Sequence, residues 1–166
     1  MLSAPALMPP RLEFWFRKRT EGFIMSVPSS VPLPHISQID HCSVIITDVE
    51  RSRRFYRDVL GLREINKPRT FDFVVLWFDL GNMHIHLLLK DKPDTLSPRH
   101  FALRVADAAQ ARDYFHRQGL TVQETAPIPG ADRFFIHDPD GNRIEIIQWL
   151  RPYSSAENNS MTGSDS

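Results

Sequence analysis

An internal repeat is the feature of this sequence that most constrains its fold. His41 lies seven residues before Asp48, and 59 positions later His100 lies seven residues before Asp107. The same shift superposes further residues of the two halves: Arg53 on Arg112, Phe55-Tyr56 on Tyr114-Phe115 and, after a slip of one residue, Gly61 on Gly119. Two copies of one unit therefore make up the folded part of the chain, and neither copy is expected to be stable alone.

The residue pattern within each copy alternates between the period of a strand and that of a helix. In the first copy a helix begins after Asp48 and ends before Gly61, and four strands are predicted, over 39–46, 62–65, 73–79 and 83–89. The second copy repeats this order with a helix over 107–118 and strands over 99–105, 121–124, 133–137 and 143–149. The predicted fold class is α+β, with two tandem βαβββ modules.

The predicted folded domain covers residues 36–150, with modules over 36–91 and 98–150. The preceding segment, 1–35, carries six of the thirteen prolines and is expected to be a flexible arm. The tail over 151–166 is polar and rich in serine, which predicts disorder. Function is therefore expected to lie in the repeated region.

Charge and hydropathy narrow the class of partner. The chain has 20 basic and 20 acidic residues, so it lacks the net positive charge that concentrates nucleic acids or anionic membranes. No apolar run approaches the roughly 20 residues that a membrane-spanning helix needs. The single cysteine, Cys42, allows no internal disulfide, which is typical of a reducing compartment. We expect a cytoplasmic protein that binds a small molecule.

Four residues at equivalent positions of the repeat can ligate a metal ion. His41 and His100 open the two modules, and 45 residues after each lies a second candidate, His86 in one module and Glu145 in the other. Glu145 stands among isoleucines, where a buried carboxylate without a partner is costly and a cation would remove that cost. His84 shares the strand face of His86 and is the alternative ligand.

The other histidines and the cysteine are not interpreted as metal ligands or as nucleophiles. His35, His116 and His137 have no ligand-type equivalent in the other copy of the repeat, so each is interpreted as an ordinary core or surface residue. Cys42 adjoins His41 in a predicted strand and therefore faces the opposite side. We interpret it as a packing residue and not as a nucleophile.

These features together resemble the vicinal oxygen chelate (VOC) superfamily, which includes glyoxalase I. The resemblance rests on the paired βαβββ modules, the histidine that opens each module and the segment Asp-Pro-Asp-Gly-Asn-Arg-Ile-Glu at 138–145. It implies that the modules form a curved mixed-sheet cup, in which a divalent metal chelates two adjacent oxygens of the substrate. It also implies that His41, His100 and Glu145 are ligands, with His86 at the position of the other glutamate of glyoxalase I.

The histidine at position 86 changes the chemistry that the resemblance implies. Three neutral imidazoles and one carboxylate around a divalent cation leave a net charge of about +1, which favours an anionic enolate. Glu145 is then the single carboxylate that can abstract and return a proton. The metal could be zinc, nickel, manganese or iron.

A second departure concerns the substrate. Glyoxalase I enzymes commonly carry an arginine four residues after the first histidine, and Ile45 stands there in this chain. Arg104 instead lies four residues after His100, and Lys90 lies four after His86. Arg104 could anchor a substrate carboxylate or could be an ordinary surface residue. The segment over 127–133 could be a loop that covers the cup or a plain connection.

The resemblance favours a metal-dependent lyase or isomerase of glyoxalase type. The alternatives are an extradiol-type dioxygenase, a fosfomycin-type thiol transferase and a metal-free protein that binds drugs. Members of the superfamily often assemble their cups from two chains, so a homodimer is expected. The sequence leaves open whether the site is shared between two chains or closed within one.

Overall fold

Each half of the repeated region forms a four-stranded sheet with one helical segment. The computed structural model describes residues 34–70 and 74–153. The first half consists of β1 (His41–Ile46), α1 (Val49–Arg53), β2 (Arg63–Ile65), β3 (Val74–Asp79) and β4 (His84–Leu89). The second half consists of β5 (His100–Arg104), α2 (Ala108–Arg117), β6 (Gln123–Glu124), β7 (Ala131–His137) and β8 (Arg143–Trp149). The fold is therefore of the α+β class, as predicted.

All of these elements lie within one unit of the chain, Gln38–Ser166. The predicted arm lies outside the described residues apart from 34 and 35, and the predicted tail lies outside them beyond residue 153. Within the described ranges, no helix is long and apolar enough to span a membrane.

The register of the two sheets confirms the repeat. The strand orders are β1-β4-β3-β2 and β5-β8-β7-β6, and the first two strands of each order run parallel. Ser43 pairs with His86 in the first sheet, and Ala102 pairs with Glu145 in the second, again 59 positions further along. The candidate ligands His86 and Glu145 therefore occupy the same position in their modules.

The residues that cap the two helices are also 59 positions apart. Asp48 and Asp107 both have φ near −143° and accept a hydrogen bond from a backbone N–H three residues later, at 2.8 and 2.9 Å. This contact satisfies a donor that the first helical turn leaves free. After α1 the chain continues as a π-helical turn, Arg54–Val59, and not as the regular α-helix predicted. Neighbouring side chains diverge less around this wider turn, so both Phe55 and Tyr56 reach the core.

The predicted alternation of strand faces is confirmed in β1. Val44 and Ile46 are buried beneath the helices, whereas His41 and Ser43 are exposed on the opposite face. The two halves are joined by the turn at 138–142: Asp138 accepts a hydrogen bond from Tyr56 at 2.9 Å, and Asn142 Nδ2 donates to the Ile45 carbonyl at 2.8 Å.

The segment over 127–133, for which the sequence left open a covering loop or a plain connection, forms a tight turn and the start of a strand. The Ala131 N–H donates to the Ile128 carbonyl at 3.0 Å, and Gly130 has φ of 81°, so the chain turns tightly there. Strand β7 consequently begins at Ala131, two residues before the predicted start, and Arg133 lies inside it. Arg133 is thus a strand residue and not part of a covering loop.

Candidate metal-binding and active site

The first pair of candidate ligands, His41 and His86, lies on adjacent strands of the first sheet. Their rings are stacked, with 4.3 Å between centroids and 20° between planes. His41 is exposed, and Asp40 lies within hydrogen-bond distance of its Nδ1 at 2.8 Å. We refer to His41 and His86 as the first pair.

His86 has the properties of a metal ligand. Its side chain is buried, and its Nε2 makes no hydrogen bond to any residue that the structure describes. Burial, followed by the nearby His41 and His84, lowers the pKa of His86 below its usual range, so the ring stays neutral. A neutral imidazole with an unused nitrogen is the form that binds a metal ion.

Trp77 completes this side of the site, and the sequence reasoning missed it. It pairs with His86 across β3 and β4, and their rings stack with 3.9 Å between centroids and 10° between planes. The indole Nε1 is also buried without a partner among the described residues. Strand alternation could have placed Trp77 on this face, because side chains directly opposite in a hairpin share a face.

The alternative ligand, His84, lies farther from the first pair. Its ring centroid is 6.0 Å from those of His86 and Trp77, and its Nε2 is 3.8 Å from an Asp79 oxygen. The strand register pairs His84 with His41, but the ring that stacks on His41 is that of His86, which favours His86 as its partner.

The second pair, His100 and Glu145, meets directly in the other sheet. His100 Nε2 lies 3.0 Å from Glu145 Oε2, and its Nδ1 lies 2.9 Å from the Pro98 carbonyl oxygen. A carbonyl oxygen can only accept, so Nδ1 donates and Nε2 is directed at the carboxylate. This orientation, fixed through the other ring nitrogen, is the one that a ligating histidine requires.

Arg133 supplies a cation that the sequence reasoning did not foresee. Its Nη1 donates to Glu145 Oε1 at 2.9 Å, and its Nη2 donates to the Ala126 carbonyl at 2.9 Å. Both side chains are largely buried, with 15% and 9% of their surface exposed. The cost of burying Glu145 is thus offset, without a metal, by the cation of Arg133. Arg133 lies diagonally across from Glu145, a neighbour that strand register could have revealed.

The two pairs do not come together within one chain. In residues 34–70 and 74–153, no three or more His, Cys, Asp or Glu side chains are grouped closely enough to hold a metal ion. The four candidate ligands therefore lie as two separate pairs, His41 with His86 and His100 with Glu145.

The predicted substrate-binding residues lie apart from these contacts. Arg104 and Lys90 are exposed, and neither side chain makes a hydrogen bond or ion pair to another described residue. Cys42 packs against the core, and burial raises the pKa of its thiol, as suits a packing residue. His100 and Arg143 line a cavity of about 320 Å³ that extends to the edge of β1. The Arg143 guanidinium lies 3.5 Å from the centre of the Phe135 ring.

The fold agrees with a match to a known family. The model of the Glyoxalase/Bleomycin resistance protein/Dioxygenase superfamily matches residues 38–146, more than half of the chain. The chain belongs to this superfamily. Its two-module architecture is thus that of the glyoxalase fold, and the resemblance inferred from the sequence is confirmed.

Individual relatives within the superfamily differ in activity. The chain is 28% identical over 123 residues to Glyoxylase I 4 of Arabidopsis thaliana, covering 68% of this chain and 71% of the relative. It is 27% identical over 135 residues to the lactoylglutathione lyase of Salmonella typhimurium, covering 65% and 90%. A glyoxalase-family crystal structure from Bacillus anthracis superposes with a TM-score of 0.65 at 30% identity, covering 70% and 98%. Other relatives are named as a methylmalonyl-CoA epimerase and a trivalent organoarsenical cleaving enzyme.

Proposed function

We propose that this protein is a metal-dependent enzyme of glyoxalase type, a lyase or isomerase that moves a proton between adjacent carbons of a small substrate with adjacent oxygens. The observation that carries the proposal is the contact of His100 Nε2 with Glu145 Oε2 at 3.0 Å, at the position where the first module has His86. Relatives named as lyases support an enzymatic role.

The residues present fit a divalent metal. His41, His86, His100 and Glu145 would hold it, and the unpartnered Nε2 of buried His86 is the clearest single indication. A bound divalent ion would polarise the adjacent oxygens of the substrate as a Lewis acid. Because three of these ligands are neutral imidazoles, the local charge would favour an anionic substrate or enolate.

The separation of the two pairs favours a site shared between two copies of the chain. A homodimer in which the first pair of one copy faces the second pair of the other would assemble all four ligands. A C2 dimer has two such sites, because each copy contributes both halves. The proposal therefore requires dimerisation for activity.

Glu145 would perform the proton transfer. It would take a proton from the carbon beside one substrate oxygen and return it to the neighbouring carbon, so no oxidant or reductant is consumed. Arg133 would orient the carboxylate through Oε1, and Oε2 lies beside the nitrogen with which His100 would bind the metal. The exposed cations Arg104 and Lys90 would attract an anionic substrate, since the chain as a whole has no net charge.

Metal analysis combined with an activity assay tests this function. Protein purified without chelator should contain a divalent metal, and it should convert at least one 2-oxoaldehyde hemithioacetal in a thermal-shift-guided screen. Glu145→Gln should reduce kcat by about 100-fold or more while the fold is retained. Glu124→Gln is the matched control, because Glu124 is also paired with an arginine of the second module but is exposed. A protein that neither contains nor is stabilised by Zn²⁺, Ni²⁺, Mn²⁺ or Fe²⁺ would contradict the proposal.

A further inference from the structure

Glu145 is held at both of its oxygens by groups of the protein itself. Arg133 donates to Oε1 at 2.9 Å, and His100 lies 3.0 Å from Oε2. We propose that Arg133 is a built-in counter-cation with which a divalent metal has to compete for Glu145, so that Arg133 sets the affinity of the site. This inference rests on the proposed function.

The position of Arg133 is fixed, which makes the competition unavoidable. Its second nitrogen, Nη2, donates to the Ala126 carbonyl at 2.9 Å, and the guanidinium lies 5.8 Å from the centre of the Phe135 ring. The side chain is 15% exposed, so solvent screens its charge only weakly. An arginine cannot lose its proton in a protein, and its charge therefore persists when a metal approaches the carboxylate.

Among the described residues of the first module, no arginine or lysine is recorded in contact with His86. Strand β3, which occupies the place of β7, contains neither arginine nor lysine. The candidate ligand on that side, His86, is buried, and its Nε2 has no hydrogen-bond partner among the described residues. The two halves of the ligand set are therefore unequal: one is open to a metal, and the other is already neutralised by Arg133.

This arrangement allows the second module to fold without a metal. An unpaired carboxylate as buried as Glu145 would be costly, and the ion pair with Arg133 offsets that cost. The same ion pair weakens metal binding, because the metal must approach a like charge and share a carboxylate that is already engaged. Arg133 is thus a positioning residue. Its ion pair with Glu145 stabilises the folded protein and lowers the metal affinity of the site.

Metal titration of the full-length protein and of an Arg133→Met variant tests the inference. Methionine keeps much of the volume but removes the charge, and we expect Mn²⁺ and Zn²⁺ to bind about tenfold more tightly to R133M than to the wild type. Bound metal should also raise the Tm of R133M more than that of the wild type. Arg133→Lys keeps a charge near Glu145 and should return the affinity to within about twofold of the wild-type value.

Arg112→Met is the matched control for the loss of a buried arginine. The Arg112 guanidinium binds Glu124 and Asp132 and lies over Phe134 at 4.8 Å, so R112M loses similar contacts away from the ligands. Its metal affinity should equal that of the wild type. In a Glu145→Gln background, R133M should no longer increase the affinity, because no carboxylate remains to be released. If R133M does not fold, Arg133→Gln replaces it in each of these measurements.

The outcomes separate this inference from the proposed function. Metal binding by the wild type with equal or weaker binding by R133M overturns the role of Arg133 and leaves the proposed function standing. The absence of metal binding in all variants overturns the proposed function and this inference with it. Tighter binding by both R133M and R112M also overturns the specific role of Arg133.

Discussion

The imidazole of His86 lies parallel to the indole of Trp77, with 3.9 Å between ring centroids and 10° between planes. The hairpin register places the two residues directly opposite each other in β3 and β4. The stack restricts rotation of the imidazole and covers one of its faces, so the ring nitrogen is presented in a fixed direction. Trp77 is thereby a reporter group in contact with a proposed ligand.

Binding of Ni²⁺ should quench the fluorescence of Trp77. Transition-metal ions quench an indole at short range, and Trp77 is in van der Waals contact with the ring of His86. We expect the quenching in a fluorescence titration to disappear in Trp77→Phe, which keeps an aromatic ring on His86. Trp149→Phe is the matched control, because the Trp149 ring makes an edge-to-face contact with Tyr153 and not with a proposed ligand. Equal quenching of W77F and the wild type would contradict the assignment of His86.

Two inactive variants should restore activity when mixed if the site is shared between copies. In a heterodimer of His41→Ala and Glu145→Gln chains, one site carries both changes and the other carries none. Random exchange of subunits gives half heterodimers, so the mixture should reach about a quarter of wild-type activity. The measurement is the activity of separately purified variants before and after unfolding and joint refolding.

Mixing His41→Ala with His86→Ala provides the control. Both changes fall in the first pair, so every site of that heterodimer is damaged and no activity should return. If H41A and E145Q also fail to complement each other, while each remains folded and dimeric, the site is closed within one chain.

The buried phenol of Tyr56 leads us to expect that the folded protein loses stability at alkaline pH. Burial, and then the charge of Asp138, raise the pKa of Tyr56 well above its usual range, so the folded protein keeps this phenol protonated. The unfolded chain releases the proton above pH 10 or so, and the free energy of unfolding should therefore fall by up to about 1.4 kcal/mol per pH unit beyond that point.

Urea unfolding of the wild type and Tyr56→Phe between pH 8 and 11 measures this effect. At pH 8 the variant should be about 1 kcal/mol less stable, because it lacks the hydrogen bond to Asp138. The difference should shrink as the pH rises through about 10 and vanish near pH 11, since phenylalanine has no proton to lose. A constant difference over the whole range would contradict the assignment.

The local features of the fold could be predicted closely. The caps Asp48 and Asp107 are as predicted, and β8 has the predicted bounds, Arg143–Trp149. These features depend on residues near one another in the chain, where periodicity and turn chemistry carry the information. The turn before β7 is also local, between Ile128 and Ala131 with Gly130 at φ of 81°, but the residue pattern did not fix where it ends and the strand begins.

The composition of the candidate site could be predicted only in part. The repeat identified His41, His86, His100 and Glu145. A ligand-type residue at one position is stronger evidence of a metal site when the equivalent position of the other module also carries one. Arg133 and Trp77 have no ligand-type counterpart and were therefore missed. Both contact the site across a hairpin, through a register that residue types alone did not disclose.

The repeat, with its constant offset, was sufficient to predict the two-module fold and the four residues that could bind a metal. The folded chain was needed to show that these residues form two separate pairs and that Arg133 already neutralises Glu145. The physical reason is that spacing along the chain fixes the face and register of a side chain within its sheet. Spacing does not fix the distance between two sheets. It also does not fix which charged side chain of a neighbouring strand pairs with a buried carboxylate.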